Sequence, residues 1–322
     1  MKIIGASKTR HVLQIAGVAL AFGLASQAGA QVTTNGLVSW YRAESNAVDS
    51  VSGHNGTVGD HTSFATGELG NAFSFDGQGN DPSSGIDLGN VADFDFGPTN
   101  GFSVSAWFKC FGLTDAVNDG QHIVSLNYSC SPTLLALALS GNSTVGFEIR
   151  DVNNVQAYVP SPAPISFNRF YHVVGVREVN EAGNTLRLYL DGVLVNSAPD
   201  PTTATLAGTY DDVIGRRNVC GSYDPFYGLI DEVMIYKRAL SSDEVQKIYA
   251  AQSAEISLTI KKIGTNVVVS WPSPSTGFFL QQSSDLTTTN WSTIGLVISD
   301  DGTNRSTVIS PPLGNSFFRL KQ

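Results

Sequence analysis

Short apolar runs follow one another from residue 35 to 238, and many of them alternate between apolar and polar residues. Gly, Asn, Asp and Pro separate the runs. Because neighbouring side chains of a strand point to opposite faces, the pattern predicts many short strands, as in an all-β antiparallel β-sandwich or jelly roll. The clearest predicted strands are 37–42, 72–76, 102–109, 122–127, 134–139, 145–150, 171–178, 185–190, 193–196 and 228–236.

Two local signals sharpen this prediction. The dipeptide Asp191-Gly192 lies between two apolar runs and predicts a two-residue hairpin turn, because a type I′ turn needs positive φ at both positions. One helix is predicted near residue 245, since Ser241 followed by Glu244 fits a capping box. Its apolar stripe, which we expect to dock on the sandwich, is Val245, Ile248 and Tyr249.

The first 30 residues have the pattern of a secretory signal peptide. A basic start precedes the apolar run Val12–Leu24, which is too short to span a bilayer, and Ala28-Gly29-Ala30 is an A-x-A cleavage site. We therefore predict a signal peptide at 1–30, a jelly-roll domain at 31–252 and a small β-sandwich module at 253–322. The expected location is secreted, extracellular or at the cell surface, with no lipid anchor because no lipobox cysteine lies near the cleavage site.

The chain is acidic, with a formal net charge of −9. Removal of the signal peptide takes away three basic residues and no acidic ones, which gives −9 − 3 = −12 for the exported chain. This charge argues against nucleic acid or an anionic membrane as a partner. It suits cation binding, and it equally suits a soluble secreted protein that binds no metal.

The three cysteines of the chain are Cys110, Cys130 and Cys220. Cys130 and Cys220 lie in polar, turn-rich stretches, whereas Cys110 ends an apolar strand. We predict a Cys130–Cys220 disulfide, which export would permit, with Cys110 buried and inert. The alternative that all three thiols are reduced stays open.

Six ordered blocks resemble the LamG-like jelly-roll domains of the concanavalin A-like lectin/glucanase fold. The blocks are NGLVSWYRAESNAVDSVSGHNGTV, GNAFSFDG, GFSVSAWFK, FYHVVGVRE, LRLYLDGVLV and GLIDEVMIYKRALSSDEV, and together they cover about 35–250. The C-terminal unit, with VVVSWP and a final FFRL, resembles a small fibronectin-III-like module. The first resemblance implies a two-sheet sandwich.

The resemblance also implies a structural Ca²⁺ held by an Asp in the last strand and by an early acidic residue. In this chain these are Asp231 and Glu44, and the loop AVDSVSGHNGTV adds Asp49 and Asn55 as further candidates. Alternation places Asp231 on one strand face with Leu229, Val233 and Ile235, where a carboxylate needs a partner. In the alternative without a metal, backbone N–H groups or Arg42 supply that partner.

The motifs of several enzyme classes are missing from the sequence. Glucanases of this fold resemble one another in an E-x-D-x-x-E strand motif, which does not occur here, and neither does H-E-x-x-H or G-x-S-x-G. Glu148 shares a predicted strand face with Arg150, which we interpret as a surface ion pair. We therefore expect no enzymatic activity.

A polar and aromatic cluster is the candidate ligand site, because lectin-like sandwiches bind sugars through aromatic stacking and polar side chains. A Cys130–Cys220 disulfide would bring its two loops together. The cluster consists of Tyr128, Arg216, Arg217, Asn218, Tyr223 and Asp224. The sequence thus predicts a non-catalytic protein that binds a glycan or another extracellular or matrix component. The alternatives are a polysaccharide hydrolase or lyase with a divergent site, and a purely structural envelope protein.

Overall fold

The structure is a computed structural model that divides into two compact units, Gly29–Ser253 and a second unit of Met1–Ala28 with Ala254–Gln322. It describes residues 13–14, 32–78, 83–113, 120–127, 134–217, 224–253, 258–272, 278–285, 290–301, 304–310 and 316–321. None of the helices in these ranges has the length and apolar character needed to cross a bilayer.

The strands that precede the helix in the chain are β1 Leu13–Gln14, β2 Leu37–Tyr41, β3 Thr57–Val58, β4 Thr62–Thr66, β5 Asn71–Asp76, β6 Ile86–Gly89, β7 Phe102–Cys110, β8 Gln121–Leu126, β9 Leu134–Leu139, β10 Val145–Arg150, β11 Gln156–Pro160, β12 Tyr171–Glu178, β13 Thr185–Leu190, β14 Val193–Pro199, β15 Asp212–Ile214 and β16 Tyr227–Tyr236. After helix α1, Ser242–Ser253, come β17 Thr259–Ile263, β18 Asn266–Pro272, β19 Phe279–Ser283, β20 Ser292–Thr293, β21 Ser299–Asp300, β22 Asn304–Ile309 and β23 Phe317–Lys321.

The larger unit is a sandwich of two antiparallel sheets, which confirms the predicted all-β fold. One sheet has the order β11-β10-β9-β8-β15-β6-β3. The other has the order β14-β13-β12-β7-β16-β5-β4, and β2 pairs with β16 beside β5. Apolar side chains from both sheets, among them Phe73, Val104, Phe147 and Ile230, form one buried core cluster. Their burial is the main favourable term that holds the sheets together.

The predicted hairpin and helix are both present. Asp191 and Gly192 have φ values of 48° and 77°, and they join β13 to β14 through the Leu190–Val193 pair. At the start of α1 the Glu244 N–H donates to Ser241 Oγ at 3.3 Å, and the Ser241 N–H donates to Glu244 Oε2 at 2.9 Å. This reciprocal pair is the predicted capping box.

Helix α1 covers the outer face of the eight-stranded sheet. Val245 and Ile248 are buried in a second apolar cluster with Val174, Met234 and Tyr236 of that sheet. Further along the helix, the Tyr249 ring stacks on Trp107 with a centroid distance of 5.6 Å. The predicted apolar stripe therefore docks on the sandwich.

The smaller unit contains two four-stranded antiparallel sheets, β17-β18-β22-β21 and β1-β23-β19-β20. Its core includes Val267, Val269 and Trp271, which alternate along β18 as the sequence indicates. In the predicted signal segment the structure describes only Leu13–Gln14, which pair with β23. The signal peptide and its cleavage stay predictions.

Candidate functional site

Asp231 lies where strand β16 changes partner on one of its edges. Residues 227–230 pair with β5, and residues 233–236 pair with β2. On the other edge Asp231 faces Trp107 and Met234 faces Ser105, so Glu232 and Val233 together oppose Ala106. This is a β-bulge, and Glu232 within it has a positive φ of 52°.

The bulge corrects the simple alternation predicted for this strand. Ile230, Val233 and Ile235 all belong to the core between the sheets, whereas Met234 and Tyr236 lie under helix α1. The period-two pattern predicts that Asp231 shares a face with Val233 and Ile235, and the bulge makes this prediction wrong. The extra residue turns consecutive carboxylates away from the apolar core, at the point where the first and last strands meet.

Asp231 is fully buried, and its two carboxylate oxygens differ in their contacts. Oδ2 accepts a hydrogen bond from the Leu69 N–H at 3.0 Å. Oδ1 is buried with no hydrogen-bond partner among the described residues. A buried acceptor without a partner carries a large desolvation cost, so Oδ1 is the atom at this site that most needs a ligand.

Glu44 reaches the same loop from the other side. Its Oε2 accepts a hydrogen bond from the Asn71 N–H at 3.2 Å. At Gly70, which has φ 58°, a Cβ would lie 2.1 Å from Glu44 Oε1, and at Gly67 it would lie 2.4 Å from Asp231 Oδ2. Both glycines therefore leave room for a carboxylate beside the backbone of the 67–71 loop.

The electrostatics of this cluster are unfavourable for the bare protein. Burial, and next the neighbouring charge of Glu232, raise the pKa of Asp231 well above its usual range, and Glu44 adds to the increase. Glu44 also acts in the same direction on Glu232, whose pKa burial raises to about 7. Three carboxylates thus oppose one another, and a cation at Asp231 and Glu44 would relieve that repulsion.

Glu232 makes its hydrogen bonds with residues outside the 67–71 loop and holds the end of helix α1. Its Oε2 accepts hydrogen bonds from Trp40 Nε1 at 2.6 Å and from Gln252 Nε2 at 2.9 Å. Gln252 Oε1 in turn accepts from Trp107 Nε1 at 3.0 Å. This buried network joins β2, β7 and β16 to the helix. Glu232 was not predicted as a site residue, because Leu229, Val233 and Ile235 alternate as in a regular strand and hide the bulge.

Asp49 and Asn55 make their contacts within their own loop. The carboxylate of Asp49 accepts four backbone N–H groups, which belong to Trp40, Val51, Ser52 and His54. Burial opposes ionisation of Asp49, but these hydrogen bonds together lower its pKa. Asn55 Oδ1 accepts the Asp49 N–H at 3.0 Å. With two N–H donors on each oxygen, Asp49 organises its own loop, and its role as a metal ligand stays a prediction.

Three of the six predicted ligand-binding residues are described, and all three have internal partners. Arg216 is buried, and its Nε donates to Ser84 O at 2.5 Å. Arg217 Nε lies 2.7 Å from Asp224 Oδ2 in a largely buried ion pair. These side chains support the loop instead of presenting free groups to a ligand. Tyr128, Asn218 and Tyr223 lie outside the described residues.

The predicted disulfide also lies outside the described residues, because neither Cys130 nor Cys220 is among them. Cys110 is buried and free, as predicted. Burial raises the pKa of its thiol, which disfavours the reactive thiolate.

The oxygen atoms around Asp231 and Glu44 suit a hard cation such as Ca²⁺, which binds carboxylates and backbone carbonyls in irregular geometry. No group of three or more His, Cys, Asp or Glu side chains in the described ranges could hold a metal ion by itself. Backbone carbonyls or water would therefore have to complete the coordination. The unpartnered Asp231 Oδ1 is the observation that fits such an ion.

Comparisons with solved structures identify the same sandwich in domain 4 of an extracellular arabinanase from Geobacillus stearothermophilus, solved in complex with arabinotriose. The TM-score is 0.50 at 22% identity, over 66% of this chain and 98% of that domain. The binding domain of Paraclostridial mosquitocidal protein 1 has a TM-score of 0.56 at 14% identity, over 80% of this chain and 62% of that one.

The binding domain of botulinum neurotoxin serotype G is a further similar structure, with a TM-score of 0.51 at 16% identity over 83% of this chain and 63% of that one. At these identities the likeness shows the fold alone. A search of curated proteins found no match. The Laminin_G_3 family model matches residues 79–246, which is more than half of the chain. The protein therefore belongs to the Laminin_G_3 family of the concanavalin A-like lectin/glucanases superfamily.

Proposed function

We propose that this protein is a secreted, non-catalytic binding protein that recognises a glycan or another extracellular component and is stabilised by one calcium ion. The observation that carries the calcium part is the buried, unpartnered Oδ1 of Asp231. The binding part is supported by the similar structures, since one was solved with arabinotriose and two are binding domains of toxins.

Asp231 and Glu44 would hold the calcium ion, together with carbonyl oxygens of the 67–71 loop. The ion supplies positive charge that offsets the mutual repulsion of the buried carboxylates. Because Asp231 belongs to β16 and Glu44 follows β2, the ion would also tie the first and last strands of the sandwich together. Its role is structural, so its loss should lower stability before it affects any ligand contact.

A hydrolase or lyase is the competing function. Its best candidate acid is Glu148, whose Oε1 accepts from Arg150 Nη2 at 2.9 Å and from Gln156 Nε2 at 2.6 Å. These donors favour the ionised carboxylate, whereas a general acid has to hold a proton at neutral pH. Glu148 therefore suits ligand binding better than acid catalysis. The fibronectin-III-like module proposed for 253–322 would act as a spacer or anchor.

A glycan array probed with the purified protein in calcium and in excess EGTA tests the proposal. We expect selective binding to a small set of glycans, with no change in those glycans over prolonged incubation. Release of shortened or unsaturated products would favour the enzyme. An empty array in both conditions would leave the protein with a structural role in the envelope.

A further inference from the structure

The outer face of the seven-stranded sheet carries an exposed aromatic side chain, Tyr158, at its β11 edge. Phe147 and Ile149 of β10 and Val159 of β11 point into the core, so the residues between them point outward. Tyr158 faces Glu148 directly across the strand pair. The apolar pattern of the sequence predicts neither a strand at 156–160 nor a function for Tyr158.

The tip of the Tyr158 ring covers Gly146, which has no side chain to displace it. A Cβ at Gly146 would be 2.4 Å from Tyr158 Cε2 and 2.7 Å from its hydroxyl oxygen. The ring therefore occupies the space that any other residue would fill. Tyr158 nevertheless keeps 40% of its surface exposed, so solvent reaches the side chain although its tip covers Gly146.

Polar groups in fixed positions border this ring. Glu148 Oε1 is held by Arg150 Nη2 and by Gln156 Nε2. Arg150 Nε is buried and has no hydrogen-bond partner among the described residues. On the other side of Gly146, strand β9 presents the partly exposed Ala138. Because both residues are small, no large side chain rises from the sheet there. A ligand on Tyr158 would thus meet donors and acceptors along one edge and little steric obstruction along another.

We propose that Tyr158, Glu148 and Arg150 form a binding subsite for one uncharged sugar ring of an oligosaccharide. This inference rests on the proposed glycan-binding function and gives it a location and a ligand class. The apolar face of a sugar ring stacks on an exposed aromatic ring, while its hydroxyls exchange hydrogen bonds with a carboxylate and a guanidinium. Because Glu148 already neutralises Arg150, and the chain is acidic overall, an anionic sugar would have to compete with a protein carboxylate.

The test measures binding of neutral arabinotriose, xylotriose and cellotriose, and of anionic trigalacturonic acid, by NMR titration. We expect at least one neutral probe to bind and Tyr158→Ala to weaken it about tenfold, as the loss of one stacking contact predicts. Tyr158→Phe keeps the ring and should stay within about twofold of the wild type. Phe167→Ala is the matched control, since Phe167 is also 40% exposed but lies in the turn before β12.

The outcomes separate this subsite from the general function. Equal binding by wild type and Tyr158→Ala, with unchanged melting of the variant, would overturn the subsite and leave glycan binding intact. Tighter binding of trigalacturonic acid than of every neutral probe would overturn the ligand class. If no neutral probe binds, the subsite is wrong, and the glycan array alone then decides the proposed function.

Discussion

The wild type should be more stable than the Asp231→Asn variant in calcium, and this order should disappear or reverse when calcium is removed. In EGTA the wild type keeps a buried carboxylate beside Glu232 and Glu44. Asp231→Asn removes that charge and retains an acceptor for the Leu69 N–H, while its amide nitrogen is as unpaired as Oδ1 is now. We therefore expect the variant to be as stable as the wild type in EGTA, or more stable.

Calcium should change this order. An ion that binds only the folded protein adds about 2.7 kcal/mol at a hundredfold excess over its dissociation constant. For a sandwich of this size each kcal/mol moves the melting temperature by about 2–4 °C, so the wild type should gain about 5–10 °C. Asp231→Asn lacks the ligand whose oxygen is unpartnered, and it should gain almost nothing.

Differential scanning calorimetry at pH 7.5 measures both proteins in calcium and in EGTA. Asp49→Asn is the control, because its carboxylate accepts four backbone N–H groups and its loss should destabilise by about 2 kcal/mol or more in both conditions alike. Equal calcium shifts for wild type and Asp231→Asn would refute the cation site. A calcium shift abolished by Asp49→Asn alone would return Asp49 to the ligand set.

Three further measurements test other parts of the structure. Arg177 is fully buried with Asp200, so Arg177→Met should cost about 3–5 kcal/mol in urea unfolding. Arg187→Met breaks a partly exposed pair with Glu178 and should cost less than about 1 kcal/mol, and similar costs for the two variants would contradict this account. Burial lowers the pKa of His172 to about 3, so the neutral ring is retained in the folded protein while the unfolded chain takes up a proton below pH 6.5. The free energy of unfolding should therefore fall by about 2 kcal/mol more in the wild type than in His172→Gln as the pH is lowered from 6.5 to 5. Parallel pH profiles of the two proteins would refute this explanation. Cys110 should react with a thiol reagent only after unfolding, and fast labelling at Cys110 itself in the native protein, located by peptide mapping, would show that it is accessible.

Strands with strong apolar alternation could be predicted from the sequence almost to the residue, as at 134–139, 145–150 and 171–178. Residues 156–160 were missed because QAYVP is short and ends in proline, and only pairing with β10 makes it a strand. Asp212–Ile214 was missed for the same kind of reason, since it is held by β6 and β8 on its two sides. Pairing with distant strands decides whether such segments become strands, and the local sequence pattern holds no information about that pairing.

The candidate cation site shows the same division. The importance of Asp231 followed from a buried carboxylate in a strand, which needs a partner in any fold. The contribution of the 67–71 loop could not be predicted, because it depends on a hydrogen bond between residues 162 apart in the chain. Asp49 was predicted as a metal ligand because it is an acidic loop residue. Acidic residues that accept backbone N–H groups within a turn have the same sequence pattern, so the sequence does not separate the two roles.

The bulge at Asp231 and Glu232 explains why two adjacent carboxylates can both be buried in one strand. A regular strand would point one of them into the apolar core, where Ile230, Val233 and Ile235 lie. The positive φ of Glu232 costs about 1–3 kcal/mol, but it sends both side chains out of the core to different partners. Glu232 then fixes the end of helix α1 through Gln252, and Asp231 meets the loop that leads into β5. One irregular residue thus joins the first strand, the last strand and the closing helix, which is why we expect a cation at Asp231 to stabilise the whole sandwich.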